Sequence, residues 1–262
     1  MNNVRRLGVA LLIVSTLLFS GCASGGKSAG PVLAEGLEPL PSSTATAWVT
    51  YADYLVELKV ETERRLEPTE DEIRAGEGLI PREVTASVVT THWSRPGTKA
   101  VAPNQVRWIA GGYLFKKGQP EQRLQLDGTA WIKVGHRYLA PISYTSLEPD
   151  STRPPDWIIL GIRNVIPYDG EVIGQGEEIL VGGEKYSGAD SASADMRASV
   201  WGKSVESAVD ILRRTQPDPA AAKYMDREPI DRYRAVLRDT TASEQPDPRE
   251  TGKPTIPMRT PR

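Results

Sequence analysis

The chain predicts a mainly β fold of the α+β type: a small antiparallel OB-like barrel or sandwich of about six to eight strands, with two C-terminal helices packed on it. Three observations carry this expectation. Val56, Leu58 and Val60 alternate with Glu57, Lys59 and Glu61, the period of a half-buried strand. Asp127-Gly128 separates two apolar-rich runs, the strongest hairpin signal in the chain, because glycine supplies the positive φ of a two-residue turn. Trp201, Val205, Ala208, Val209 and Leu212 then fall on one helical face, with Lys203, Glu206, Asp210 and Arg213 turned away.

Taken in order, residues 47–53 read as a short helix and 54–60 as the first strand. Residues 61–77 are charged and read as a long surface excursion, in which Thr69 and Glu72 are spaced as a capping box for one helical turn. Val84, Ala86 and Val88 repeat the strand period, and strands follow at 105–110, 113–116 and 123–126, with Gly111-Gly112 a bulge or turn between the first two. The hairpin at Asp127-Gly128 pairs 123–126 with 130–134. Residues 138–144 and the apolar run 157–160 give two more strands, the latter buried on both faces, and 178–181 a last one. Pro217 limits the first C-terminal helix; the second starts at Pro229 and carries Ile230, Tyr233 and Leu237 on one side. The expected units are thus a β domain over 44–190 and helices over 191–240. Residues 241–262, with five prolines and almost no large apolar side chains, read as a disordered tail.

With 39% hydrophobic and 25% charged residues, part of the chain can pack a core. The formal charge of the full chain is −2, and removing residues 1–21, which contain only Arg5 and Arg6, leaves 30 basic against 34 acidic residues, or −4. Basic residues are interspersed with acids throughout, so no concentrated basic surface points to nucleic acid as a partner.

The N-terminus joins a basic start, Arg5-Arg6, to the 13-residue apolar run 7–19 and then to Ser20-Gly21-Cys22-Ala23-Ser24. That is the pattern of a secretory signal, too short for a comfortable membrane span. Leu18-Phe19-Ser20-Gly21-Cys22 resembles the lipobox of bacterial lipoproteins, although the family usually has Leu where this chain has Phe19. The resemblance implies cleavage before Cys22, S-diacylglycerol on its sulfur and an acyl group (commonly palmitate) on its new amino terminus, hence a cell-membrane anchor on the extracytoplasmic face. Each buried methylene would add about 0.8 kcal/mol to that anchor. Residues 22–43, rich in Gly, Ser, Ala and Pro, then read as a flexible tether. The alternative is an ordinary signal cut after Ala23, leaving a soluble secreted protein. Cys22 is the only cysteine, so the exported domain has no disulfide and no thiolate for a nucleophile or metal.

Residues 47–53 leading into Tyr54-Leu55-Val56-Glu57-Leu58, with the later run Val134-Gly135-His136-Arg137-Tyr138-Leu139-Ala140, resemble the OB-type barrel of netrin-like domains and uncharacterised secreted proteins of actinobacteria. The likeness spans about residues 50–145 and rests on short apolar motifs. It implies a barrel. The inhibitory activity of that family, which uses disulfides and a free N-terminal cysteine, does not carry over to a chain with one lipidated cysteine.

For catalysis the sequence offers little. His92 and His136 lie in or beside expected strands and read as histidines hydrogen-bonded on the sheet surface; no metal site or cofactor is expected. There is no G-x-S-x-G elbow for a serine nucleophile. Glu61 with Glu63, and Asp150 with Asp156, are candidate carboxylate pairs for a glycan hydrolase. Gly174-Gln175-Gly176-Glu177 reads as a turn between strands, not a dinucleotide fingerprint. Trp48, Trp93, Trp108, Trp131 and Trp157 read as core fillers, with an exposed aromatic binding face as the alternative. The resulting expectation is a lipid-anchored, non-enzymatic binding or structural module of the cell envelope, whose partner is an envelope protein or glycan.

Overall fold

The computed structural model describes residues 30–36, 38–147, 154–188 and 195–244, with the side chains of 242–244 excepted. Cys22, Asp150 and the tail from 245 onward lie outside the described residues. The fold is mixed, with one large, mostly antiparallel sheet and helices concentrated toward the C-terminus. Strands β1 (Val32–Ala34), β2 (Tyr54–Arg65), β3 (Glu77–Ser94), β4 (Gln105–Lys116), β5 (Gln122–Leu126), β6 (Arg137–Thr145) and β7 (Asp156–Ile159) run in the order β1-β5-β4-β3-β2-β6-β7. Among these strands of the described residues, only β1 and β5 pair in parallel. The two-residue strand β8 (Ile166–Pro167) also pairs with β6, and β9 (Leu180–Val181) with β10 (Glu184–Lys185) forms a small hairpin.

The expected barrel does not close. The sheet curls until β7 comes within 8 Å of β4, Cα to Cα, but no ladder joins them among the described residues. Val56, Leu58 and Val60 point into this curl with Val84, Ala86, Val106, Trp108, Tyr138 and Ile142, forming one core cluster. Leu55, Trp93 and Leu139 point the other way, under helices α1 (Ala45–Tyr51), α3 (Met196–Val200) and α4 (Val205–Arg214), and form the second. Successive side chains of β2 therefore serve two cores.

Five further sequence expectations differ from the structure. Residues 30–43 are not all tether: β1 extends the sheet, Leu40 is 3% exposed, and the Ser42 carbonyl accepts from the Trp48 indole N–H. Residues 61–77 lie at the surface as expected but are not a connection throughout, because β2 and β3 continue their ladder to Arg65↔Arg82. Helix α2 (Glu70–Ala75) caps this arm, and its Thr69–Glu72 capping box forms as expected. Asp127-Gly128 makes a turn, with Gly128 at φ 75°, but 130–134 does not pair back. Both edges of β5 are already taken, one by β4 and one by β1, so the chain turns inward and buries Trp131. The run 157–160 is an edge strand, with Asp156 exposed and Trp157 and Ile158 only half-buried.

The helices also divide differently from the expectation. Trp201 is not on the α4 face; it ends α3, and Gly202 at φ 73° separates the two helices. Val205, Ala208, Val209 and Leu212 are buried as expected. Helix α5 (Pro229–Glu244) starts at its proline and runs four residues into the stretch expected to be tail. Ile230 is buried, but Leu237 is 46% exposed, so the apolar stripe covers only the first turns.

Gly111 and Gly112 lie within one continuous strand as a bulge. Pro81 pairs with Gly112 and Glu83 with Ile109, so Arg82 alone opposes both Ala110 and Gly111, the latter at φ 57°. Such a bulge re-aims one side chain. Here it turns Arg82 inward, 1% exposed, to donate to the carbonyls of Ala110 and Ile132 and to Glu63.

Candidate functional site

Among the described residues, three chemistry-bearing side chains converge where three segments meet at one end of β6. His136 directly precedes β6, after a turn that Gly135 makes at φ 87°. Asp169 follows β8 by two residues, and the Asp169 N–H donates to the Gln175 carbonyl. Glu177 arrives through the Gly174–Gly176 turn, with both glycines at positive φ. The turn expected from Gly174-Gln175-Gly176-Glu177 is present, and it has a second effect: a Cβ at Gly176 would stand 2.9 Å from Asp169 Oδ2. Only a residue without a side chain lets the segment carrying Glu177 run this close to Asp169.

His136 Nδ1 lies 2.6 Å from Asp169 Oδ2 and 2.8 Å from Glu177 Oε1. One ring nitrogen thus faces two carboxylate oxygens. The Asp169 contact has hydrogen-bond geometry, whereas Glu177 Oε1 is buried without a hydrogen-bond partner despite its proximity to the ring. The other oxygens are held from behind. Asp169 Oδ1 accepts the Arg137 N–H at 2.7 Å, and Glu177 Oε2 accepts the Tyr138 hydroxyl at 2.9 Å. Burial, chiefly, pushes the Tyr138 hydroxyl well above the ordinary tyrosine range; the Glu177 charge adds to this, and the Lys133 N–H that Tyr138 accepts works against it. The Lys133 ammonium stands 3.7 Å from Glu177 Oε1 and is 55% exposed.

A second polar group adjoins the first. The Arg137 guanidinium donates to Glu57 Oε1 at 2.8 Å, and His92 Nε2 lies 3.5 Å from Glu57 Oε2. The expectation for the histidines thus divides. His136 is hydrogen-bonded at the sheet end; His92 Nε2 is buried without a hydrogen-bond partner, its ring edge-on to Tyr168 at 6.4 Å.

The carboxylates named from sequence have other partners. Glu63 pairs with Arg82, Glu61 with Lys59 and the Ser87 hydroxyl, and Asp156 accepts the Trp157 N–H. Asp169 and Glu177 were not legible as a pair, because their contact depends on the fold of three segments; the closest sequence signal was Glu177 directly after Gly-x-Gly. Of the five tryptophans read from sequence as core fillers, Trp48, Trp93, Trp108 and Trp131 are at most 9% exposed, as core filling requires. Trp157 is half-buried and stacks obliquely between Tyr54 and Tyr144, with ring centroids 5.6 and 5.2 Å away. The cavity lined by Ala110, Gln125, Trp131 and Ile162 measures about 10 Å³, room for one water. Among the described residues no helix is long and apolar enough to cross a membrane. No family model, curated protein or solved structure matches this chain.

Proposed function

We propose that the protein is a lipid-anchored extracytoplasmic module that binds another envelope component, protein or glycan, through its surface. The observation that carries this reading is Cys22, the chain's one cysteine, placed directly after Ser20-Gly21 and a 13-residue apolar run with two arginines before it. The fold bears on the geometry of such an anchor. The described body begins at Gly30, eight residues after Cys22, and those residues span at most about 28 Å even when extended. A domain so tethered works close to the membrane surface.

Binding through the surface is favoured over hydrolysis at the converging carboxylates by one feature. Between the converging carboxylates Asp169 and Glu177, the place where a glycosidic bond would sit is filled by the His136 imidazole.

The deciding experiment is intact mass and membrane partition of the full chain expressed in a bacterial host, beside Cys22→Ala. A mature protein starting at Cys22 with added diacylglycerol, lost with its membrane fraction in Cys22→Ala, is the expected result. A soluble product starting at Ser24 overturns the anchor. Cross-linking at the membrane then identifies the bound component.

A further inference from the structure

We propose that His136, Asp169 and Glu177 form a divalent transition-metal site, with zinc the ion its donors fit best. The proposal stands independently of the lipid anchor.

The donor atoms His136 Nδ1, Asp169 Oδ2 and Glu177 Oε1 all lie within 4.8 Å of one another. One imidazole and two carboxylates are the ligand types of zinc sites, and a set with no thiolate and one nitrogen favours zinc or its neighbours over calcium or magnesium. Clusters of acidic groups are common without a metal, but Glu177 sets this one apart. Its side chain is 3% exposed and its Oε1 has no hydrogen-bond partner. A buried carboxylate oxygen left without a donor is costly, and a cation at that point removes the cost. His136 cannot do so in this arrangement: a neutral ring offers at most one proton at Nδ1, and the bond to Asp169 uses it. The Lys133 ammonium stays 3.7 Å from the orphaned oxygen, beyond hydrogen-bond distance.

The surrounding bonds suit a ligand set. Arg137 N–H and the Tyr138 hydroxyl hold Asp169 Oδ1 and Glu177 Oε2, leaving Oδ2 and Oε1 both facing Nδ1. Metal-binding carboxylates are typically held from behind in this way. With metal–ligand distances of about 2.0–2.2 Å, tetrahedral donors stand about 3.3–3.5 Å apart. Nδ1 must therefore withdraw by about 0.7–0.9 Å from Asp169 Oδ2, now 2.6 Å away, and by about 0.5–0.7 Å from Glu177 Oε1, now 2.8 Å away. The His136 side chain is 40% exposed and has room to swing. Asp169 is 31% exposed, so an ion has a way in and a fourth position remains for water. Such an ion would clamp the start of β6, the residue pair after β8 and the turn before β9.

The test uses the untagged full chain in detergent, stripped with a chelator and titrated with Zn²⁺ by calorimetry. One equivalent binding at micromolar affinity or tighter is expected, with Tm rising by about 5–10 °C at free zinc 100-fold above Kd. His136→Asn and Asp169→Asn, both at partly exposed positions, should each weaken binding at least tenfold, while His92→Asn should not. Co²⁺ loaded in place of zinc should show the visible absorption of a four-coordinate nitrogen and oxygen site, absent in His136→Asn. Should Glu177→Gln fail to fold, those two partly exposed variants still decide the matter. Absence of stoichiometric binding by the wild-type chain, or binding undiminished in His136→Asn, overturns the site.

Discussion

The Arg82 guanidinium lies 3.6 Å from the ring centroid of Trp131, and Arg123 approaches the same indole at 4.4 Å. Arg82 is almost fully buried, and its remaining donors reach two main-chain carbonyls and Glu63. A buried cation persists only when paired and fully hydrogen-bonded. Arg82→Met should therefore cost about 2–4 kcal/mol, since it strands the Ala110 and Ile132 carbonyls and removes the stacking. Arg123→Ala should cost less than about 1 kcal/mol, because its charge is solvated. Urea unfolding midpoints of the two variants check the contrast.

Trp201 packs between two glycines. A Cβ at Gly174 would stand 2.6 Å from its ring and one at Gly188 also 2.6 Å, while Tyr186 meets it edge-on at 4.8 Å. Gly174 is also at φ 94°. Gly174→Ala combines left-handed strain with overpacking and should lose about 2–4 kcal/mol. Gly182→Ala, at φ 58° but with nothing within 4 Å, should show only the strain, about 1 kcal/mol. Thermal unfolding of both variants separates the two costs.

Burial pushes the Tyr51 hydroxyl from its ordinary 10.0 to about 12; Asp218 and Tyr233 add to the rise and Arg232 opposes it. The folded protein therefore keeps this proton between pH 10 and about 12, where the unfolded chain releases it. Stability is full below pH 10 and falls through that window, by about 2–3 kcal/mol from Tyr51 alone. Urea titrations at the two ends of the window should show the loss, and Tyr51→Phe should reduce it.

At the tip of the β2–β3 arm, the Glu72 carboxylate feels burial that raises its pKa, but the N–H groups of Leu79 and Thr69 and the Thr69 hydroxyl outweigh this and hold it below the usual carboxylate range. Its contribution is present above the unfolded pKa and is lost as pH falls through the folded one. Thr69→Ala should cost the capping interaction, about 1 kcal/mol. Because α2 buries no residue, the loss should appear as faster amide exchange at 70–79 with a nearly unchanged global unfolding midpoint.

Local rules were legible where a few neighbouring residues decide the outcome. The alternation at 56–60, the Thr69–Glu72 box, the Pro229 helix start and the buried face of α4 all follow from side-chain period or a single cap, and all are present. The Asp127-Gly128 turn was legible too, but not its partner: a turn sets local φ, and whether the next segment pairs back depends on a β5 edge that β1, some ninety residues earlier, occupies. Barrel closure likewise depends on the distance between β4 and β7, which no window of sequence contains.

The candidate site divides the same way. Composition determined that one cysteine is present and that two histidines are the only imidazoles, and residue order that the cysteine follows a basic start and an apolar run. Which carboxylates those histidines meet was decided by tertiary structure. Glu57 reaches His92 across the β2–β3 ladder, Asp169 reaches His136 from the end of β8, 33 residues on, and Glu177 through a glycine turn, 41 residues on. Side-chain period and turn chemistry act over a few residues, whereas a site is made by chain segments whose separation in space is set by the packing of the whole sheet.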